Sequence, residues 1–113
     1  MAGVQVLVLH GSRARGDDGA GSDWDFAVLT DGTTDLPRLS AALTSLLGTE
    51  AVDLVDLQRA SALLRYRAAR DGVVLVERPD GAFRAFQLEA VRFWCDAGPV
   101  IRAAQDDVLA ALG

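Results

Sequence analysis

The residues able to do chemistry in this chain fall in two stretches. One is Gly11-Ser12-Arg13-Ala14-Arg15-Gly16, separated by six residues from Asp23-Trp24-Asp25. The other is Val52-Asp53-Leu54-Val55-Asp56. On a strand, alternate side chains share a face, so Asp23 and Asp25 project together while Trp24 projects away. Two carboxylates placed like this can bracket divalent cations. Hard oxygen ligands suit magnesium, above all where substrate phosphates complete the shell. Without a cation the two charges repel each other. Taken alone, a D-x-D is weak evidence, because solvated strand ends carry the same residues.

Gly11-Ser12 directly follows an apolar run, Val4–Leu9. Glycine there permits a tight turn and a close backbone approach to a phosphate. A helical turn starting there would aim backbone N–H groups and the Ser12 hydroxyl at a triphosphate. Arg13 and Arg15 would add positive charge, and Gly16 permits a second turn. An ordinary glycine- and aspartate-rich loop has the same composition. The third carboxylate comes from Ala51–Leu57, an apolar strand in which an aspartate is costly unless paired or metal-bound. Asp53 and Asp56 are three apart and face opposite sides, so only one can join a cleft. Spacing does not choose between them.

These residues need elements to hold them. Val4–Leu9 reads as a buried strand and Gly11–Gly21 as a loop with one helical turn. Trp24–Thr30 is a second strand, broken by Asp31-Gly32. Asp35–Leu47 reads as a helix with Leu36, Leu39, Leu43, Leu46 and Leu47 on one face. Thr34 or Asp35 caps its start, Pro37 lies in the first turn and Gly48 follows the end. A third strand over Ala51–Leu57, a helix over Arg59–Arg70 closed by Gly72, and a fourth strand over Val73–Glu77 complete the alternation. After a Pro79-Asp80-Gly81 turn, Gly81–Cys95 suits a helix with a stripe of Phe83, Phe86, Ala90, Phe93 and Trp94. Gly98-Pro99 predicts an interruption and Val100–Leu112 a last helix. The pattern is α/β: a mixed sheet of about four strands flanked by helices, with a C-terminal helical segment. The sheet is expected to be covered on both faces except where the aspartates open a cleft.

Three other features have plainer readings. Cys95 falls on an apolar helix face and reads as a buried thiol. The aromatic residues, Trp24 among them, read as packing. His10 reads as a structural residue at a strand end.

A chain of 113 residues fits one domain spanning 1–113. Half of it is hydrophobic and 24% is charged, a globular composition. The net charge is −5, with eleven arginines and no lysine. That balance disfavours nucleic acid, whose binding rests mostly on phosphate neutralisation. No apolar run approaches a membrane span. No basic segment and apolar core follow Met1, so secretion is not expected. One cysteine cannot form an internal disulfide, which suits a reducing cytoplasm.

Gly11-Ser12, ten residues, then Asp23-Trp24-Asp25 resembles the signature of the DNA polymerase β-like nucleotidyltransferase superfamily. The longer string GSRARGDDGAGSDWDFAVL is similar to the minimal nucleotidyltransferase branch, whose pattern is roughly G-S-x-A-R-G-x5-S-D-x-D-h-x-V. VDLVDL looks like the third-carboxylate strand of that branch. There the first aspartate is the metal ligand, which carries the role to Asp53 and leaves Asp56 outside it. Gly72–Glu77 also looks like a strand of the family. The likeness covers about 4–80, the expected catalytic half, with C-terminal helices over about 81–113. His10 departs from it, standing where the branch has an aromatic or aliphatic residue.

The resemblance implies in-line attack on the α-phosphate of a nucleoside triphosphate. Asp23, Asp25 and Asp53 would hold two magnesium ions, about 3.5–4 Å apart in such sites. Gly11 and Ser12 would position the phosphates, and Arg13 or Arg15 would offset developing charge. The branch is similar to the antitoxin halves of HEPN–MNT toxin–antitoxin pairs. The expected reaction is therefore transfer of AMP from ATP to a tyrosine of a HEPN ribonuclease toxin, within a hetero-oligomer. Two alternatives stand beside it. One is an antitoxin that neutralises its partner by binding alone. The other is transfer to a small molecule such as an aminoglycoside, whose enzymes carry an acceptor domain.

Overall fold

A computed structural model describes residues 3–16 and 23–112. The chain runs β1 (Val4–His10), α1 (Gly11–Arg15), β2 (Trp24–Thr30), α2 (Leu36–Leu47), β3 (Val52–Asp56), α3 (Ala62–Asp71), β4 (Val73–Glu77) and α4 (Ala82–Leu112). The four strands form one mixed sheet in the order β3-β2-β1-β4. β1 is antiparallel to both β2 and β4, while β2 and β3 are parallel. The expected mixed sheet is therefore present. The part of the Gly11–Gly21 loop from 17 onward lies outside the described residues.

Local chemistry sets the helix ends. Asp35, not Thr34, caps α2: its Oδ1 accepts from the Arg38 N–H at 3.1 Å. Gly48 closes that helix in the left-handed conformation, at φ 68°. Ser61 caps α3 by accepting from the Leu64 N–H at 3.2 Å. The helix therefore starts at Ala62, not Arg59: the Ser61 hydroxyl caps it, while the N–H groups of Gln58 and Arg59 bond to Asp56 in the turn that ends β3. At α4, Glu77 Oε2 accepts from the Phe83 N–H at 2.9 Å.

Each face of the sheet has its own core. Leu7, Phe26 and Val28 pack with Leu39 and Leu43 of α2, joined by Trp24, Val52 and Leu54. On the other face, Val6, Val8, Ala27 and Leu57 pack with Ala68 and Ala69 of α3 and Phe86 and Ala90 of α4. Strand alternation thus assigns a face to every residue in the sheet. Gln87 Nε2 donates to the Ala69 carbonyl at 2.9 Å, and Tyr66 stacks on Trp94 at 5.5 Å. Positions 87 and 94 thus meet 69 and 66, so α3 and α4 run antiparallel. Phe86, 2% exposed, is central to this layer. Phe86→Ala is expected to cost about 3–5 kcal/mol, read as a large fall in Tm with no change in the number of unfolding transitions.

Four expectations need correction. The helix does not stop at Gly98-Pro99; α4 is continuous for 31 residues. Proline removes one N–H bond, to the carbonyl of Cys95, and Cys95 is exposed so water can satisfy that oxygen. Cys95 itself is not a core thiol. It lies one residue beyond Trp94 and so is turned about 100° away from the buried stripe. Two residues of the expected apolar stripes face solvent: Leu46, at the margin of the α2 stripe in its last turn, is 82% exposed, and Phe93 of α4 is 45% exposed. Finally, the sheet is not covered everywhere: Val73, Val74 and Leu75 of the edge strand β4 are exposed. Among the described residues, no helix is long and apolar enough to cross a membrane.

Candidate active site

The site is built where β1 ends and β2 and β3 begin. Asp25 pairs with His10 across the antiparallel β1–β2 ladder and with Asp53 across the parallel β2–β3 ladder. Paired residues on neighbouring strands project from the same face. That face is the one covered by α3 and α4, since Ala27, two residues on from Asp25, and Leu57, four on from Asp53, both lie in that core. Asp53 is exposed and Asp25 half-buried. Asp23 is exposed, immediately before β2.

Asp56 goes elsewhere. It pairs with Val28 on the α2 face. Its Oδ1 accepts from the Gln58 N–H at 3.0 Å, and its Oδ2 lies 3.9 Å from Arg59 Nε. It is a turn residue at the far end of β3. The geometry therefore brings Asp53, and not Asp56, beside Asp25.

Gly11 closes the other side. It has φ 75°, a conformation that disfavours any other residue. A Cβ there would collide with Asp25 Oδ2, so the carboxylate lies against the glycine backbone. Ser12, half-buried, sits in the first turn of α1. Gly16 ends this short helix, again left-handed, with its N–H donating to the Ser12 carbonyl.

The two arginines of the motif separate. Arg13 lies over the Trp24 ring, 4.0 Å from its centroid. Because Trp24 projects opposite to Asp25, this cation–π contact caps the other side of the strand. Arg15 is exposed and lies within electrostatic reach of Asp71. The Asp71 carboxyl is held below its ordinary range, chiefly by hydrogen bonds from Arg70 at 3.0 and 2.8 Å, with smaller help from Arg15 and Arg67. Asp71 carries no recognisable sequence signal; its nearness follows from β4 beginning next to the end of β1.

His10 is the residue whose environment sequence reasoning did not anticipate. It is 9% exposed, and its Nε2 is buried with no hydrogen-bond partner. The departure from the resemblance pattern at this position was the available signal.

The chemistry of the donor set fits a hard divalent cation, because paired carboxylates on one face offer only oxygen ligands. Among the described residues, no three carboxylate, imidazole or thiol groups are gathered closely enough to hold an ion unaided. The arrangement thus suits a cation that also takes oxygens from a bound phosphate.

The polymerase beta nucleotidyltransferase domain model matches residues 2–81, most of the chain and all of the site. The chain belongs to the polymerase beta nucleotidyltransferase family. The protein adenylyltransferase MntA of Aphanizomenon flos-aquae is 38% identical to the chain over 96 aligned positions. The alignment covers 74% of this chain and 64% of that protein, so the chain spans a little under two thirds of its relative's length. A crystal structure of a toxin–antitoxin with AMP-PNP superposes with a TM-score of 0.82 at 29% identity, covering 96% of this chain and 89% of that one. A complex of a tri-AMPylated Shewanella oneidensis HEPN toxin with its MNT antitoxin superposes at 0.74 and 28% identity, covering 96% and 86%. The likeness spans nearly the whole chain, beyond the catalytic half.

Proposed function

We propose that this protein is the antitoxin of a HEPN–MNT pair and acts as a protein adenylyltransferase, moving AMP from ATP to a tyrosine of its toxin. The observation that carries the reading is the parallel register of Asp25 and Asp53 beside the Gly11-Ser12 turn. It puts two carboxylates from distant parts of the chain on one face, next to backbone suited to phosphates. The likeness to complexes with AMP-PNP and with an AMPylated toxin supports the choice of nucleotide and partner.

In this reading the tyrosine oxygen attacks the α-phosphorus of ATP. The bond from that oxygen to phosphorus forms, the bond from phosphorus to the β-phosphate oxygen breaks, and pyrophosphate leaves. The phenolic proton passes to a neighbouring carboxylate or to water. Asp23, Asp25 and Asp53 would hold two magnesium ions, which supply charge neutralisation and a lowered pKa for the attacking hydroxyl when bound. Gly11 and Ser12 hold the triphosphate by backbone N–H and hydroxyl groups. Arg13, which lies over Trp24, or Arg15, which lies within electrostatic reach of Asp71, would offset developing charge. The setting is the cytoplasm, in a hetero-oligomer with the toxin.

Neutralisation by binding alone is the second reading, in which the likeness to toxin–antitoxin complexes reflects association without transfer. One experiment separates them. The protein is incubated with its helical HEPN partner, magnesium and ATP, and both are weighed by intact mass spectrometry. An AMP adduct on the partner is the expected result. A tight complex without any adduct would overturn the enzymatic reading.

A further inference from the structure

His10 is the only histidine of the chain. It ends β1 with an extended backbone, φ −134° and ψ −169°, immediately before the Gly11 turn. Its strand partner is Asp25, so imidazole and carboxylate rise from the same face of the sheet. Asp25 leans towards this same stretch of β1, because its Oδ2 lies against Gly11. Yet the His10 Nε2 is closed off from solvent with no partner at all. Leaving a buried polar atom unsatisfied costs a folded protein free energy, and an aromatic or aliphatic residue would fill the site without that cost. A histidine kept here has a partner in some state of the molecule.

The acceptor beside it on the same face of the sheet is its strand partner Asp25, whose surroundings change when a cation binds. A carboxylate that holds a cation with one oxygen keeps lone pairs on the other. Groups that hydrogen-bond a metal ligand fix its orientation, and their loss typically weakens metal binding about 10–100-fold.

We propose that His10 is a positioning residue: its Nε2–H hydrogen-bonds the Asp25 carboxylate when that carboxylate takes up a divalent cation. The inference rests on the proposed nucleotidyltransferase site. His10 touches neither nucleotide nor acceptor; it acts through Asp25. The neutral tautomer that carries its proton on Nε2 is the one the bond requires.

Because the chain has one histidine, its ring nitrogens can be followed directly by long-range 1H–15N NMR in the unaltered protein. The expected result is an Nε2-protonated ring whose Nε2 signals shift on titration with Mg2+, with slowed exchange of the Nε2 proton. In Asp25→Asn that response is lost. The companion measurement is Mn2+ binding by electron paramagnetic resonance. His10→Phe keeps a planar aromatic ring and removes the donor, and raises the Mn2+ Kd about tenfold. It lowers kcat more than it changes KM for ATP. His10→Gln, whose Nε2–H can stand where the imidazole Nε2–H does, recovers most of the affinity.

A purely structural histidine behaves differently. His10→Phe would then melt at a higher temperature with unchanged Mn2+ affinity, and the wild-type Nε2 signals would not move with Mg2+. Either result overturns the proposal, and the NMR arm decides it even if both variants fail to fold. If the wild type binds Mn2+ and transfers AMP while His10 stays silent, only this inference falls. If the wild type does neither, the site reading falls with it.

Discussion

Asp53→Asn is expected to reduce AMP transfer by about a thousandfold or more, roughly 4 kcal/mol of transition-state stabilisation at 1.36 kcal/mol per decade, without loss of fold. Asp53 is exposed on the edge strand β3, so no core contact depends on it. Asparagine matches it in size and removes only the charge. What it removes is one of two carboxylates set side by side in register. Like charges directly opposite on neighbouring strands repel, so relieving one leaves Tm unchanged or raises it. A residue whose neutralisation stabilises the fold and destroys the activity is held for chemistry. Asp56→Asn is the matched control: it faces α2 and binds its own turn, so transfer continues near the wild-type rate. Time courses by intact mass, with thermal melts of both variants, make the comparison. Asp53→Asn with undiminished turnover would remove this side chain from the site.

Gly11→Ala is expected to damage both stability and activity. The backbone at φ 75° costs a residue with a Cβ about 1–2 kcal/mol. The larger effect is steric, since the new methyl group occupies the space of Asp25 Oδ2. Either the carboxylate swings away or the end of the β1–β2 ladder opens. Each moves a reactive group by an ångström or so, and misplacement on that scale costs about a hundredfold in rate. Gly48→Ala separates the two effects. Gly48 has a similar φ, 68°, with open space around its missing side chain. That variant is expected to show the backbone penalty in its melting temperature and normal AMP transfer. If Gly11→Ala transferred AMP as well as Gly48→Ala does, the contact between Gly11 and Asp25 would have no part in the reaction.

The sequence by itself determined the features that depend on near neighbours along the chain. Strand alternation set Asp25 apart from Trp24, whereas Asp23, expected to share the Asp25 face, lies just before β2 and outside the strand. The cap at Thr34 or Asp35 and the closing Gly48 follow from side-chain and backbone chemistry within a few residues, as does the apolar stripe through Phe86 and Ala90; the structure chose Asp35. The spacing of Gly11-Ser12 from Asp23-Trp24-Asp25 pointed to the family for the same reason: a strand, a glycine turn and a returning strand are one local unit.

Tertiary structure decided whatever depends on residues distant in sequence. Asp53 and Asp56 were equivalent by spacing, and only the parallel register of β2 with β3 brought the former beside Asp25. The collision that makes Gly11 necessary involves a side chain fourteen positions away. The exposure of Cys95, the separation of Arg13 from Arg15 and the unpaired nitrogen of His10 depend on how strands and helices lie over one another. Even the passage of α4 through Gly98-Pro99 went against the local prediction. A sequence states the preferences of each short segment, but the pairing of strands sets which segments meet, and the candidate site draws its groups from three of them.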